Sequence, residues 1–441
     1  MQPPPADDEQ PAPESRLRLR TWRDRQVVAV ALVSVASGYG QFGAVAALGD
    51  VAKALGHITH GATIAEQAGL SGTALGIGLA VIRLASLGAL PLTGMADRLG
   101  RRATLLVTAA IGLGLTAVAA LSPSYWFFVA IFALGRPLLS TTNALAQVNV
   151  AEQTGRADRS KAVALVTAGY GVGAGLTAII HSLWQHAVGF RILFASALVP
   201  LVLLVVVRRF VEESDRYVTT SNLSLLHEVP VLGVVASGLR RRLGVVAAVT
   251  FFIAVIAGPA TSFVFLYAEN VVRQSGVLTA AMVVAAGAAG LGGLLAGRYL
   301  ADRLGRRPSI VLGVAMLSGF SVLTYSGSGG LLFAGYVLGV LGGSVLAPGL
   351  GAFVNELFPT SVRASVAGWC VAASVIGAVV GLLSFGELVD VGNSFSFAAG
   401  VIFLPAFLPA LLCFAAPETK GREPEQLASA GAPGQLGAGP P

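Results

Sequence analysis

The chain has 441 residues, of which 55% are hydrophobic and only 12% charged, against about 25% charged in an ordinary soluble domain. Long stretches carry no charge at all, each enough for a bilayer core about 30 Å thick, which excludes a water-soluble fold. The excess of 29 Lys and Arg over 22 Asp and Glu falls in short loops between these stretches, the pattern of a membrane orientation signal and not of a nucleic-acid patch.

In chain order, Met1 to Glu14 is rich in proline and acids and is followed by Arg16, Arg18, Arg20, Arg23 and Arg25. This reads as a cytosolic tail over 1–25, since a signal peptide would place a short apolar stretch soon after its basic start. Helical spans are predicted near 26–48, 71–94, 103–121, 125–149, 161–185 and 190–210. A polar linker with short surface helices follows over 211–243, then spans near 244–268, 276–300, 308–325, 330–354, 364–386 and 394–416, and a cytosolic tail over 417–441. The expected fold is an all-α membrane protein with twelve spans in two six-helix bundles, 26–210 and 244–416. The 55 glycines fit such a fold, because small residues let spanning helices approach closely. With both termini inside, 24 of the 29 basic residues fall on the inner side and Lys53, Arg191 and Arg273 outside, which leaves Arg83 and Arg136 within spans.

The halves repeat. Asp97-Arg98-Leu99-Gly100-Arg101-Arg102 recurs letter for letter as Asp302-Arg303-Leu304-Gly305-Arg306-Arg307, an offset of 205. Glu152 and Arg159 match Glu356 and Arg363 at 204, and Glu213-Ser214 matches Glu418-Thr419 at 205. Both loops sit on the same side, so six spans have been duplicated in parallel. Asp97 and Asp302 lie at inner helix ends, where Glu152, Glu213, Glu356 and Glu418 are within reach of the arginines. Exposed pairs are worth about 0–1 kcal/mol each, so a network of them pairing across the halves would hold a gate without locking it.

These loops, the run Glu356, Pro359, Thr360, Arg363, and Pro417-Glu418-Thr419-Lys420-Gly421-Arg422 resemble the major facilitator superfamily, the last two its sugar porter and metabolite symporter branches. The resemblance covers about Arg25 to Arg422. It implies alternating access by rocking of the halves, with the repeated loops closing the cytosolic side. Three features depart from the family pattern. The glycine four residues before the loop aspartate is Thr93 in one half and Arg298 in the other; the sixth span ends without the family's prolines; and Gln41 stands where span 1 often has an acid. Proton coupling is therefore not carried over to that position.

A polar residue inside a span is costly unless it meets a cavity or a partner. Arg136, Ser140, Asn143 and Gln147 share one helical face, and Ser34, Ser37 and Gln41 another. Arg83 lies 14 residues before Asp97, about 21 Å along a helix, and falls at a depth similar to Arg136 and Gln41. Arg83, Arg136, Gln41, Asn143 and Gln147 are the candidate substrate-binding residues. For Arg136 a structural role competes, because Gly135-Arg136 resembles a pair that porters of neutral sugars also carry; for Asn143 and Gln147 the competing reading is helix-packing glue. The acids fall at helix ends or in loops, among them Asp50, Glu269, Glu387 and Asp390 at outer ends. Neither arginine is thereby offered a mid-membrane carboxylate, which points to an anionic solute. His181 and His186 read as solvated groups near the outer end of span five.

Cys370 and Cys413 lie in different spans, and the sequence contains no Walker loop, nucleophile elbow or zinc-spaced Cys/His group. No cofactor, metal, enzymatic chemistry or nucleic-acid partner is implied. The expected function is transport of a small polar solute, an organic anion such as a carboxylate in preference to a neutral sugar; a non-transporting receptor on the same fold is the competing class. The expected setting is the plasma (inner) membrane, the expected partners the solute, the lipid bilayer and a coupling proton, and the expected assembly a monomer.

Overall fold

A computed structural model of the chain describes residues 24–56, 68–154, 158–213, 237–359 and 362–420. Among these, twelve helices are long and apolar enough to cross a membrane. Spans 1 to 6 are Arg25–Ala46, Gly72–Ala96, Arg101–Leu121, Tyr125–Gln153, Lys161–Ser182 and Gly189–Val207. Spans 7 to 12 are Leu239–Val271, Gly276–Leu304, Arg306–Thr324, Gly329–Leu357, Ser365–Gly392 and Phe395–Ala415. A short helix, Leu48–Leu55, joins spans 1 and 2. Several helices run past their expected ends: span 10 continues through Glu356 and span 11 through Glu387 and Asp390, because a helix needs no apolar residues once it leaves the hydrocarbon layer. Of the expected linker, 214–236 lies outside the described residues, and Arg240, Arg241 and Arg242 belong to the helix Ser237–Ser262 that leads into span 7.

The two repeated hexapeptides show why a glycine stands at their fourth position. Gly100 and Gly305 have φ of 94° and 106°, the left-handed region that a β-carbon disfavours. Each reverses the chain between one helix and the next, at Leu99 to Arg101 and at Leu304 to Arg306. Both turns lie on one face of the bundle, the loop face; the far face is the other.

Each half has an aromatic core toward the far face. Phe128, Phe132, Phe190 and Phe194 pack together in the first half. In the second, Tyr325 stacks within reach of Tyr267, Phe385, Phe395 and Phe403. Its buried hydroxyl donates to the carbonyl oxygens of Pro259 and Ala260, each at 3.2 Å, satisfying carbonyls around the proline in span 7.

The halves are bonded to one another at the far face. The Asp390 carboxylate, at the end of span 11, accepts the backbone N–H groups of Gly72 and Thr73 at 2.7 and 2.8 Å and the Thr73 hydroxyl at 2.6 Å. An acidic group at a helix N-terminus is favourable for the exposed N–H groups and the helix dipole alike. Asn270 donates to the carbonyl of Gly49 at 3.2 Å. Spans 2 and 11 approach through Gly72, Gly76 and Gly386, where a β-carbon on Gly76 would come 2.6 Å from the Leu382 carbonyl.

Candidate functional site

Between the halves lies a cavity of about 270 Å³, lined on one side by Gln41, Arg83, Arg136 and Tyr170 and on the other by Thr261, Ser262, Ala378 and Leu382. Arg83 reaches it from the last turn of the helix Gly72–Ala85. Arg136 reaches it from span 4, one residue before Pro137. The Nε atoms of both arginines are shielded from solvent and have no hydrogen-bond partner, and among the described residues no acidic one lines the cavity. Arg136 is partly compensated, since Nη1 donates to the backbone carbonyl of Gln41 at 3.2 Å.

The two polar stripes expected on spans 1 and 4 meet each other. Ser37 donates to the Leu139 carbonyl at 2.8 Å, Gln41 to the Ser37 hydroxyl at 3.0 Å, Ser140 to the Gln41 side-chain oxygen at 3.4 Å, and Ser34 to Asn143 at 3.1 Å. Arg83, Arg136 and Gln41 thus come together at the cavity. Asn143 and Gln147 are not among its lining residues; Asn143 accepts the Ser34 hydroxyl between spans 4 and 1. Tyr170 and Thr261 line the cavity too but were not singled out by the sequence. Tyr170 sits within the glycine-rich run Gly169 to Gly175 of span 5.

At the loop face the duplication is reproduced in the bonding. Arg101 pairs with Glu152, and Glu213 accepts the backbone N–H groups of Arg101 and Arg102 at 2.8 and 3.0 Å. In the second half Arg306 pairs with Glu356 at 3.1 Å, and Glu418 accepts the N–H groups of Arg306 and Arg307 at 2.9 and 3.2 Å. Arg306 also pairs with Asp302 at 2.7 Å, and Arg307 with Glu418 at 3.4 Å. Arg102 donates to the Arg208 carbonyl, Arg303 lies over the Tyr299 ring, and Arg363 donates to the Phe358 carbonyl. The side chains of Asp97, Arg98 and Arg159 lie outside the described residues.

Among the described residues, the ion pairs named above each join groups of one half, and pairing across the halves remains an expectation. Spans 3 and 9 begin directly after a glycine turn and carry unpaired N–H groups, which Glu213 and Glu418 satisfy. Burial raises the proton affinity of the Glu418 carboxyl, but donation from the backbone N–H groups of Arg306, Arg307, Lys420 and Thr419 outweighs it and holds the group below the usual carboxylate range. A depressed carboxylate stabilises the fold above its unfolded pKa, and that contribution is lost as pH falls through the folded value. Glu418→Gln is therefore expected to cost about 1 kcal/mol at pH 7, the usual worth of a capping group. In thermal melts the gap from wild type should close as the medium is acidified below about pH 4.

At the far face the structure corrects the reading of His181. Its side chain is only 2% exposed and is not solvated. One ring nitrogen, Nε2, lies 2.9 Å from the Asp50 carboxylate of the short helix, and Nδ1 lies 3.5 Å from the Glu269 carboxylate of span 7. The side chain of His186 lies outside the described residues.

The family model of the Major Facilitator Superfamily matches residues 30–322 and 279–436. Among curated proteins, the "Probable 4-methylmuconolactone transporter" of Cupriavidus pinatubonensis is 26% identical over 62% of this chain, and the match spans 65% of that relative's length. The "Gallate transporter" of Pseudomonas putida is 25% identical over 80% of this chain and 85% of its own. Among solved structures, the inward-open xylose transporter XylE from E. coli has a TM-score of 0.73 at 18% identity, covering 92% of this chain and 98% of that one. The nucleoside transporter NupG has a TM-score of 0.70 at 13% identity, covering 88% and 98%. With the twelve spans, the duplicated loops and a family match over most of its length, the chain belongs to the major facilitator superfamily.

Proposed function

We propose that this protein is a secondary transporter that carries a small organic anion through the central cavity by alternating access. One observation carries the substrate class: two arginines face a cavity that no acidic residue among the described ones lines, and the Nε of each has no partner. Taking a guanidinium out of water costs several kcal/mol unless a charge or hydrogen bonds replace the lost hydration. A carboxylate supplies both, through paired N–H···O bonds. The curated relatives support this reading, being named for 4-methylmuconolactone and gallate. A thermal-shift screen of the purified protein against carboxylates, sugars and amino acids tests it, since a ligand bound only by the folded state raises stability. Stabilisation by carboxylates and not by sugars is the expected result.

A neutral-sugar substrate is the second reading. It is favoured by the bond from Arg136 to the Gln41 carbonyl, which lets that arginine be a structural group. Stabilisation by sugars alone would establish it.

The basic residues support an inner-membrane protein with both termini cytosolic, because Lys and Arg concentrate at the loop face. The repeated loops, with Asp97, Arg98, Arg101, Arg102, Glu152, Arg159 and Glu213 in one half and Asp302, Arg303, Arg306, Arg307, Glu356, Arg363 and Glu418 in the other, then form the cytosolic gate. In the present form the far face is bonded across the halves through Asp390 and Asn270. A reporter fused after Arg422 should read cytosolic, as should one within 217–239; export of either would overturn the topology. A proton is the coupling ion most compatible with the ionisable groups at the far face, and the carrier is read as a monomer, since one chain lines both sides of the central cavity.

A further inference from the structure

We propose that His181, Asp50 and Glu269 form a proton-binding site at the far-face gate, and that a proton taken up there from the outer solution closes the gate. The proposal rests on the alternating-access reading above but not on the identity of the substrate.

The three residues come from separate elements and from both halves. Asp50 lies on the short helix Leu48–Leu55, His181 near the end of span 5, and Glu269 in a π-helical turn, Tyr267–Val271, that ends span 7. The π-turn is held in place: Tyr267 packs on Tyr325 with ring centroids 5.0 Å apart, and its hydroxyl accepts the Gly327 N–H at 2.7 Å. Beside it, Asn270 bonds Gly49 across the halves. Glu269 is consequently presented to His181 by a rigid frame, and both side chains are nearly inaccessible, at 5% and 2% exposure.

The geometry suits a protonated imidazole between two carboxylates. A neutral imidazole has one N–H and one lone pair, so it can donate to only one of two carboxylates. Here both ring nitrogens face carboxylate oxygens, Nε2 at 2.9 Å from Asp50 and Nδ1 at 3.5 Å from Glu269. The imidazolium turns an N–H toward each carboxylate: Nε2 is at hydrogen-bond distance from Asp50, and Nδ1, which has no hydrogen-bond partner, meets Glu269 at ion-pair distance. Without the proton, one nitrogen would turn a lone pair toward a buried carboxylate, and two negative groups from opposite halves would face each other with less to offset them.

Among the described residues, the ionisable groups that act on His181 are Asp50 and Glu269, and Lys53 on the same short helix as Asp50 acts on Glu269. Span 8, packed against span 5, has no charged residue before Arg298, and the neighbouring part of span 1 ends in Phe42 to Ala46 without one. When the halves part at this face, Glu269 leaves His181 and the imidazole gains water. It then loses the anion that makes the proton worth holding. Proton binding and gate closure must therefore favour each other by linkage. Gln41 leaves span 1 without the acid that its family pattern often places there, so this gate offers a separate route by which outer pH acts on the carrier.

The test uses the full chain with Cys370→Ser and Cys413→Ser, spin-labelled at Ala54→Cys and Val391→Cys. These exposed positions lie at the far-face ends of the two halves. Pulsed electron-spin distance measurements in lipid nanodiscs, with no ligand added, read the closed and open populations between pH 5.5 and 8.5. The open-to-closed ratio is expected to rise about tenfold with pH, the change produced by a tenfold difference in proton affinity between the states. His181→Gln should make the distribution independent of pH, and Glu269→Gln should strip most of the response. An unchanged wild-type distribution across this range overturns the proposal, as does a full pH response in His181→Gln. A merely structural cluster would shift populations equally at every pH in the variants. Because no substrate enters the measurement, failure of the anion reading would leave this result standing, and the reverse.

Discussion

Replacing Arg83 with glutamine is expected to weaken an anionic ligand by roughly 10–100-fold, about 1.4–2.8 kcal/mol, with folding little changed. Arg83 has a shielded Nε without a partner and lines the cavity, so its removal relieves a cost in the empty protein while it deletes charged hydrogen bonds in the complex, each worth about 1.5–3 kcal/mol. Lysine at this position should rescue only in part, because it keeps the charge and loses the planar fork. Arg136→Gln should have the smaller effect on affinity and the larger on stability. Its guanidinium already donates to the Gln41 carbonyl, and that bond ties span 4 to span 1. Titration calorimetry of one carboxylate with the wild type and the three variants decides the matter. Tight binding of an uncharged solute that is indifferent to Arg83→Gln would refute the anion reading and favour the sugar.

The fold was legible because hydropathy and duplication act over long stretches. Twelve apolar segments and a hexapeptide repeated at an offset of 205 leave little freedom in span number or in the relation of the halves. The cavity was legible in part. A charged residue in a span is conspicuous, so Arg83 and Arg136 stood out; Tyr170 is an amphipathic group that sits comfortably in any span, so it did not. The loop-face acids were legible as partners for the arginines of the repeat, and Glu152 and Glu356 do pair with them, but the backbone bonds of Glu213 and Glu418 were not. Opposite charges suggest ion pairs, whereas the N–H groups that Glu213 and Glu418 accept belong to every helix start and leave no trace in composition.

The far-face cluster was hidden for a different reason. His181 and Asp50 are separated by 131 positions, and Glu269 comes from the other half. Each taken alone is an ordinary polar residue near a helix end. Burial and shared contact are properties of the assembled bundle, where the short helix Leu48–Leu55 and the π-turn of span 7 bring acids over the end of span 5. No periodicity or spacing within one helix encodes that meeting.

Widening Gly386 to valine is expected to bias the far face open and slow turnover. Spans 2 and 11 meet here backbone to backbone: a β-carbon on Gly386 would overlap the Gly72 carbonyl and come 3.2 Å from the Gly76 α-carbon. Backbone cannot rotate out of the way as a side chain can, so the halves must separate at this end to admit the new atoms. Overpacking of this kind costs typically about 1–3 kcal/mol, and here it falls on the closed form alone. The open-to-closed ratio should then rise about 5- to 150-fold, and the far-face bonds from Asp390 to Gly72 and Thr73 should be lost with it. Transport into proteoliposomes should fall in proportion, whereas affinity for ligand offered from the far face should stay within a few fold, because the cavity residues are untouched. Gly400→Val, placed where a β-carbon meets nothing within 4 Å, is the control for added bulk in a span. Spin labels at Ala54→Cys and Val391→Cys report whether the far face has parted. A Gly386→Val protein that transports at the wild-type rate, or whose far-face distances match those of the control, would show that these spans are not the surface on which the gate closes.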